Sequence, residues 1–120
     1  MTRPKLVIVK SPYKGKNKAE ISRNIRYARA CLRDSLMRGE SPFASHLLYT
    51  QPGVLKDGNS EERKRGINAG LDWVRVADLT AVYTDLGISD GMQLGIDKAQ
   101  QEGRPVEYRE LGDKWGKRKG

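Results

Sequence analysis

Two short stretches without a charge constrain this chain more than anything else in it. Leu6-Val7-Ile8-Val9 and Leu79-Thr80-Ala81-Val82-Tyr83-Thr84 are continuous runs rich in apolar and β-branched residues. A strand with one wet face alternates in polarity, whereas an unbroken run fits a strand covered on both faces, as in a parallel sheet. Parallel neighbours cannot be joined by a tight turn and need a crossover, usually a helix. The segments between the runs carry that helical period. From about Ala19 to Arg38, Ile21, Ile25, Ala28, Leu32 and Leu36 lie on one stripe, and Gly39 suits a C-cap. Asn59-Ser60-Glu61-Glu62 opens a second helix, with Asn59 and Glu62 at capping-box spacing and Ile67, Gly70, Leu71, Val74 and Ala77 inward. Ser89 or Asp90 caps a third, with Met92, Ile96 and Ala99 inward, and Gly103-Arg104-Pro105 ends it. Pro42 to Ser45 reads as a second strand, continued by His46 to Gln51 into a loop that runs to Gly58; Val106-Glu107-Tyr108 reads as a fourth strand. Strands alternating with helices predict right-handed crossovers and an α/β domain with a mostly parallel sheet of four to five strands.

The chain has 120 residues, enough for one core and too few for two. The reading is a single domain over 1–111 and a basic flexible tail over 112–120. The formal net charge is +8, and residues 113–120 contribute Lys114, Lys117, Arg118 and Lys119 against Asp113. The body therefore holds about +5, which suits an anionic partner such as a nucleotide, a phosphate or a nucleic acid. The one cysteine, Cys31, sits in an apolar-periodic helix; it permits no internal disulfide, fits a reducing cytoplasm and reads as a small core residue. Lys5 to Lys10 encloses only four apolar residues, too few for a signal peptide, and no run approaches a membrane span.

Ligands of parallel sheets sit beyond the carboxyl ends of the strands. Three segments fall there: Ser11-Pro12-Tyr13, Ser45-His46, and Asp85 to Ser89. Pro12 fixes the exit from the first strand, and Tyr13 is suited to stack on a base or a sugar. Asn24, one turn into the first helix, faces the same edge. His46 is the only histidine and is a candidate acid, base or ligand donor; with no second histidine or nearby cysteine, no metal site is expected. Phe43, Leu47, Leu48 and Tyr49 around it form an apolar-aromatic cluster suited to a subunit interface. Asp85 is placed to bind a sugar hydroxyl or to shape a turn. Asp78 suits a cap or a pair with an arginine. Ser89, Gly91 and Met92 form a helix start whose free N–H groups favour an anion. Gly91 and Gly95 lie in that helix, where glycine costs about 1 kcal/mol relative to alanine, and this signals a close approach by another backbone, a strand or a ligand.

Taken together, these residues resemble the nucleoside 2-deoxyribosyltransferase-like superfamily, which includes deoxynucleoside-monophosphate N-glycosidases and related phage and bacterial domains. The resemblance runs over about residues 5–108. It is carried by Ser11-Pro12-Tyr13 after the first strand, Asn24, Gly39, Gly70-Leu71-Asp72-Trp73 with Ala77-Asp78, Ser89-Asp90-Gly91-Met92, Ala99 and Gly103. It implies a small Rossmann-like three-layer domain, a homo-oligomer, and a nucleoside or nucleotide ligand with no cofactor. It also implies a glutamate four residues beyond Gly91 as the glycosyl nucleophile, and this chain has Gly95 there. Retaining transfer needs a carboxylate at that point, and glycine supplies none.

Three functions stand open on the sequence. The first is binding of a nucleoside, nucleotide or ADP-ribose-like ligand without glycosyl transfer, as in a phage protein that sequesters a nucleotide signal. The candidate binding residues are Ser11, Pro12, Tyr13, Asn24, His46, Asp85, Ser89, Gly91 and Met92. The second is an active N-glycosidase or deoxyribosyltransferase using Asp85 or His46, or Asp90. The third is nucleic-acid binding through Arg23, Arg26, Arg29, Arg33 and the tail.

Overall fold

The computed structural model describes residues 3–113 and Trp115. Four strands form one parallel sheet: β1 (Leu6–Lys10), β2 (Ser41–Phe43), β3 (Leu79–Tyr83) and β4 (Val106–Arg109), in the order β2-β1-β3-β4. Helix α1 (Lys18–Met37) connects β1 to β2. The short α2 (Ser45–Leu48) and α3 (Ser60–Trp73) connect β2 to β3, and α4 (Asp90–Gln101) connects β3 to β4. Val7 pairs with Leu79 and Lys10 with Val82, so β1 and β3 run in register along the middle of the sheet.

The period-2 alternation of β1 and β3 builds two cores from one sheet. Val7, Val9, Leu79, Ala81 and Tyr83 pack against Tyr27 and Cys31 of α1. Ile8 packs on the opposite side with Val74, Ala77 and Ala99, and Val82 with Met92 and Ile96. This is the expected three-layer α/β domain. The chain leaves β1 toward β2 and leaves β3 toward β4, so the sheet order reverses between β1 and β3. That reversal opens a crevice beyond the two carboxyl ends.

Three local expectations change. The buried face of α1 is Asn24, Tyr27, Ala28, Cys31 and Ser35, while Leu36 is 59% exposed. The apolar stripe misplaced this face because three of its members are polar and satisfied: Tyr27 bonds Asp85, Ser35 bonds Glu40, and Asn24 bonds backbone carbonyls. Second, β2 ends at Phe43, and Ser45 to Leu48 form a helical turn rather than a continued strand. Leu47 and Leu48 amides close on the Ala44 carbonyl, so the backbone is satisfied locally. Third, the capping box at α3 is half formed. The Asn59 side chain accepts from the Glu61 and Glu62 amides, but the Glu62 carboxylate turns to the Lys56 amide.

Asp78 takes the role of an arginine partner: Arg3 bonds both its oxygens at 2.7 and 2.9 Å, and the Leu6 amide bonds it at 2.8 Å. In the aromatic cluster around His46, Phe43 lies 5.2 Å from Trp73 and 6.2 Å from Tyr49 between ring centres, while Leu48 and Trp73 stay about half exposed. Of the basic tail expected over 112–120, only Gly112, Asp113 and Trp115 lie within the described residues; Gly112 donates to Asp85, and Trp115 meets the Tyr27 ring edge-on at 4.8 Å.

Candidate functional site

A cavity of about 550 Å³ lies at the carboxyl edge of the sheet. That is the size of a small-molecule site. Its wall joins segments remote in sequence: the exit of β1, the α2 turn, one face of α3, and the first turn of α4.

The exit of β1 contributes Lys10, Ser11 and Tyr13. Asn24, buried in α1, shapes this exit from beneath. Its amide nitrogen donates to the carbonyls of Tyr13 at 2.9 Å and Lys14 at 3.3 Å, and its oxygen accepts from the Arg23 guanidinium. The helical turn of α2 carries His46 inward, where Nε2 and Ser11 Oγ share a hydrogen bond at 2.7 Å. Burial of the ring, followed by the nearby Lys10 charge, lowers the His46 pKa far enough to keep it neutral at pH 7. From α3, Gly66, Ile67 and Leu71 supply an apolar wall. Gly70 lets α2 approach: a Cβ there would stand 2.5 Å from Ser45 Oγ. At α4, Ser89 Oγ accepts from the Met92 amide at 3.2 Å, and Ser89 through Met92 all border the cavity.

The structure thus gathers Ser11, Tyr13, His46, Ser89, Gly91 and Met92 around one space. Pro12, Asn24 and Asp85 stand outside its lining. Asp85 faces the other side of β3. One of its oxygens accepts from Tyr27 OH at 2.5 Å, and the carboxylate also accepts from the Leu111 and Gly112 amides at 2.9–3.0 Å. Burial opposes the charge on Asp85, but these donors outweigh it and keep the carboxyl below its ordinary pKa.

Lys10 is the residue that the motif reading passed over. It stands on the Ile8 face of β1, so the strand's alternation sends its side chain toward α4. Only 9% of it is exposed. Gly95 makes the room: a Cβ on Gly95 would overlap Lys10 Cε and stand 2.9 Å from Nζ. Among the described residues the ammonium has no ion-pair partner. Burial alone pushes its pKa down from 10.5 to about 8. The available signal was parity: a lysine two residues beyond Ile8 at the carboxyl end of a buried strand must face the same side as Ile8.

This parallel sheet, with its cavity at the order reversal, defines an α/β domain of the 2-deoxyribosyltransferase fold. The solved 2-deoxyribosyltransferase of the psychrotolerant bacterium Bacillus psychrosaccharolyticus is similar, with a TM-score of 0.58 and 20% identity over 88% of this chain and 72% of that one. That enzyme is described as a biocatalyst for synthesis of antiviral and antitumoral nucleosides. Residues 5–109 match the family described as a domain of unknown function (DUF7768), and the chain belongs to that family. No curated protein matches it.

Proposed function

We propose that this protein binds a nucleoside- or nucleotide-class small molecule in the cavity at the carboxyl edge of the sheet and does not transfer its glycosyl group. One observation carries the second half of that reading. At the position where a glycosyl nucleophile is expected there is Gly95, and the space beside it is filled by the side chain of Lys10. A positive group there disfavours an oxocarbenium-like centre, which a carboxylate stabilises. The first half rests on the shared fold and on the company of Tyr13, Ile67 and Leu71, flat and apolar surfaces suited to a base or sugar. A protein that holds such a ligand without consuming it is a sensor or a sink for it, and a phage-encoded sink for a nucleotide signal is one setting that fits. The exposed Leu36 and Met37 at the end of α1 suit a homo-oligomer contact. No described helix is long and apolar enough to cross a membrane.

The test is calorimetry with nucleosides and their 5′-monophosphates, run beside chromatography of the same mixtures. Binding with the base still attached is the expected result. Release of free base by the purified chain would overturn the reading. A residual N-glycosidase activity has one observation in its favour, the neutral His46 on the cavity wall. It requires that His46→Ala abolish any base release seen. Asp85 is poorly suited to that chemistry, because its oxygens already hold Tyr27, Leu111 and Gly112.

A further inference from the structure

Lys10 requires an explanation that folding does not supply. Burying a cation without a partner is costly, and the ordinary remedy is a carboxylate within reach. The cavity wall includes four acids, and three have other structural partners. Glu20 accepts from the Lys16 amide, Asp57 pairs with Arg63 at 3.6 Å, and Glu62 accepts from the Lys56 amide. The fourth, Asp90, begins α4 and forms no ion pair with Lys10 among the described residues. The groups beside Lys10 are no remedy either: His46 and Ser11 are neutral and bonded to each other. Lys14 and Lys16, further along the same wall, add positive charge.

The cationic side chain is also accommodated by design of the backbone. Gly95 sits in the second turn of α4, where alanine would be the better helix former by about 1 kcal/mol. Any side chain there would displace Lys10. The helix thus forgoes a stabilising residue and keeps room for a charge that destabilises the free protein. The Asp90 and Gly91 amides of the α4 first turn, left without the acceptor that Ser89 Oγ gives Met92, belong to residues that border the same cavity, and they too favour negative charge.

We propose that Lys10 is the cation of an anion-binding subsite beside Gly95, pairing with a phosphate or carboxylate group of the ligand. The inference rests on the reading of this cavity as a ligand site, and it specifies that the ligand is anionic where it meets β1 and α4. A bare nucleoside would leave Lys10 unpaired. A nucleotide, or a nucleoside carrying a carboxylate, would neutralise it.

Two measurements test this. In the first, wild type, Lys10→Met and Gly95→Ala are titrated calorimetrically with adenosine, AMP, uridine and UMP. The expected result is that wild type prefers the monophosphates at least tenfold. Lys10→Met, which keeps length and removes charge, loses the preference and keeps nucleoside affinity. Gly95→Ala, which keeps the charge and pushes it aside, weakens monophosphate binding several-fold. A preference retained in Lys10→Met overturns the subsite. The second measurement uses no nucleoside. The Lys10 ammonium is followed by NMR titration with inorganic phosphate and, separately, with acetate. Phosphate, acetate or both should raise its pKa, and the stronger of the two identifies the group read. If nucleosides and nucleotides fail to bind but an anion still moves Lys10, the nucleoside reading falls and the subsite stands. If neither anion moves Lys10, the subsite falls.

Discussion

At the scale of single residues, the decisive fact is that one lysine is charged where its surroundings resist charge. Its folded pKa of about 8 lies below the ordinary 10.5, so the unfolded chain binds more protons between those values. Stability from this group is therefore fully present above about 10.5 and is lost as pH falls toward 8. A depression of that size corresponds to about 3 kcal/mol at pH 7, so Lys10→Met should be the more stable protein there, by about 1–3 kcal/mol. Denaturant melts of both proteins from pH 7 to 10 should converge as pH rises; a constant gap would show that the methionine acts through packing alone. Asp85 follows the opposite logic. Its carboxyl is held below the usual range, so its contribution is present above the unfolded pKa and lost as pH falls through the folded one. Asp85→Ala removes the acceptor of the Tyr27 hydroxyl proton and of the Leu111 and Gly112 amides, while the residue-85 amide still bonds Tyr27 OH; it should cost about 2–4 kcal/mol, with little effect on nucleotide affinity, read by melts and calorimetry together. Part of the cavity wall was legible in the sequence. The edge segments Ser11-Tyr13, Ser45-His46 and Ser89-Met92 announce themselves by strand-then-turn pattern. Lys10 and Asp85 do not, because a role as an unpaired cation or as a tie between α1 and the segment after β4 depends on neighbours 26–85 residues away.

At the scale of elements, the cavity depends on how closely α2 sits on α3. Gly70 sets that distance, with Ser45 Cβ only 3.0 Å from where its own Cβ would be. Gly70→Val should push α2 outward, carry His46 away from Ser11, and destabilise by about 1–3 kcal/mol despite any gain in helix propensity. The histidine ring resonances report the displacement, and unchanged His46 shifts would refute it. The far end of the sheet is fixed by charge. Arg109 of β4 grips Glu40, just beyond α1, through two bonds of 2.7 and 2.8 Å, and the guanidinium side chain is only 4% exposed. Arg109→Met leaves the largely buried Glu40 carboxylate without its cation and with only the Ser35 hydroxyl as donor, and should cost about 3–5 kcal/mol in denaturant melts. The sequence displays β1 and β3 through their unbroken apolar runs and α3 and α4 through their periods. It hides the true face of α1, because hydrophobic periodicity gives no weight to Asn24 and Ser35, which are buried and hydrogen-bonded. It also hides α2, since four residues are too few for any period to register.

At the scale of the molecule, one sheet serves as a partition. Its α1 side is built for cohesion, with Tyr27, Cys31 and Tyr83 fully buried, while its α3–α4 side is left open at one edge. Ligand bound at that edge should therefore stabilise the whole domain. With a net charge of +8, anion affinity should also weaken as salt rises. Lys10→Met should retain part of that salt dependence through Lys14 and Lys16; a salt response abolished by the one substitution would make Lys10 its sole source. The Lys10–Gly95 contact has a further consequence for how such a domain can diverge. An acidic side chain introduced at 95 would meet an ammonium and be neutralised by it, and a short neutral residue at 10 would leave an empty slot against the glycine. Each single change loses the anion-reading charge or its room, even where, as with methionine at 10, the slot stays filled and the fold gains stability. Descendants of this lineage should then carry lysine with glycine or neither, two alternative settings of a lock that must be turned at both positions.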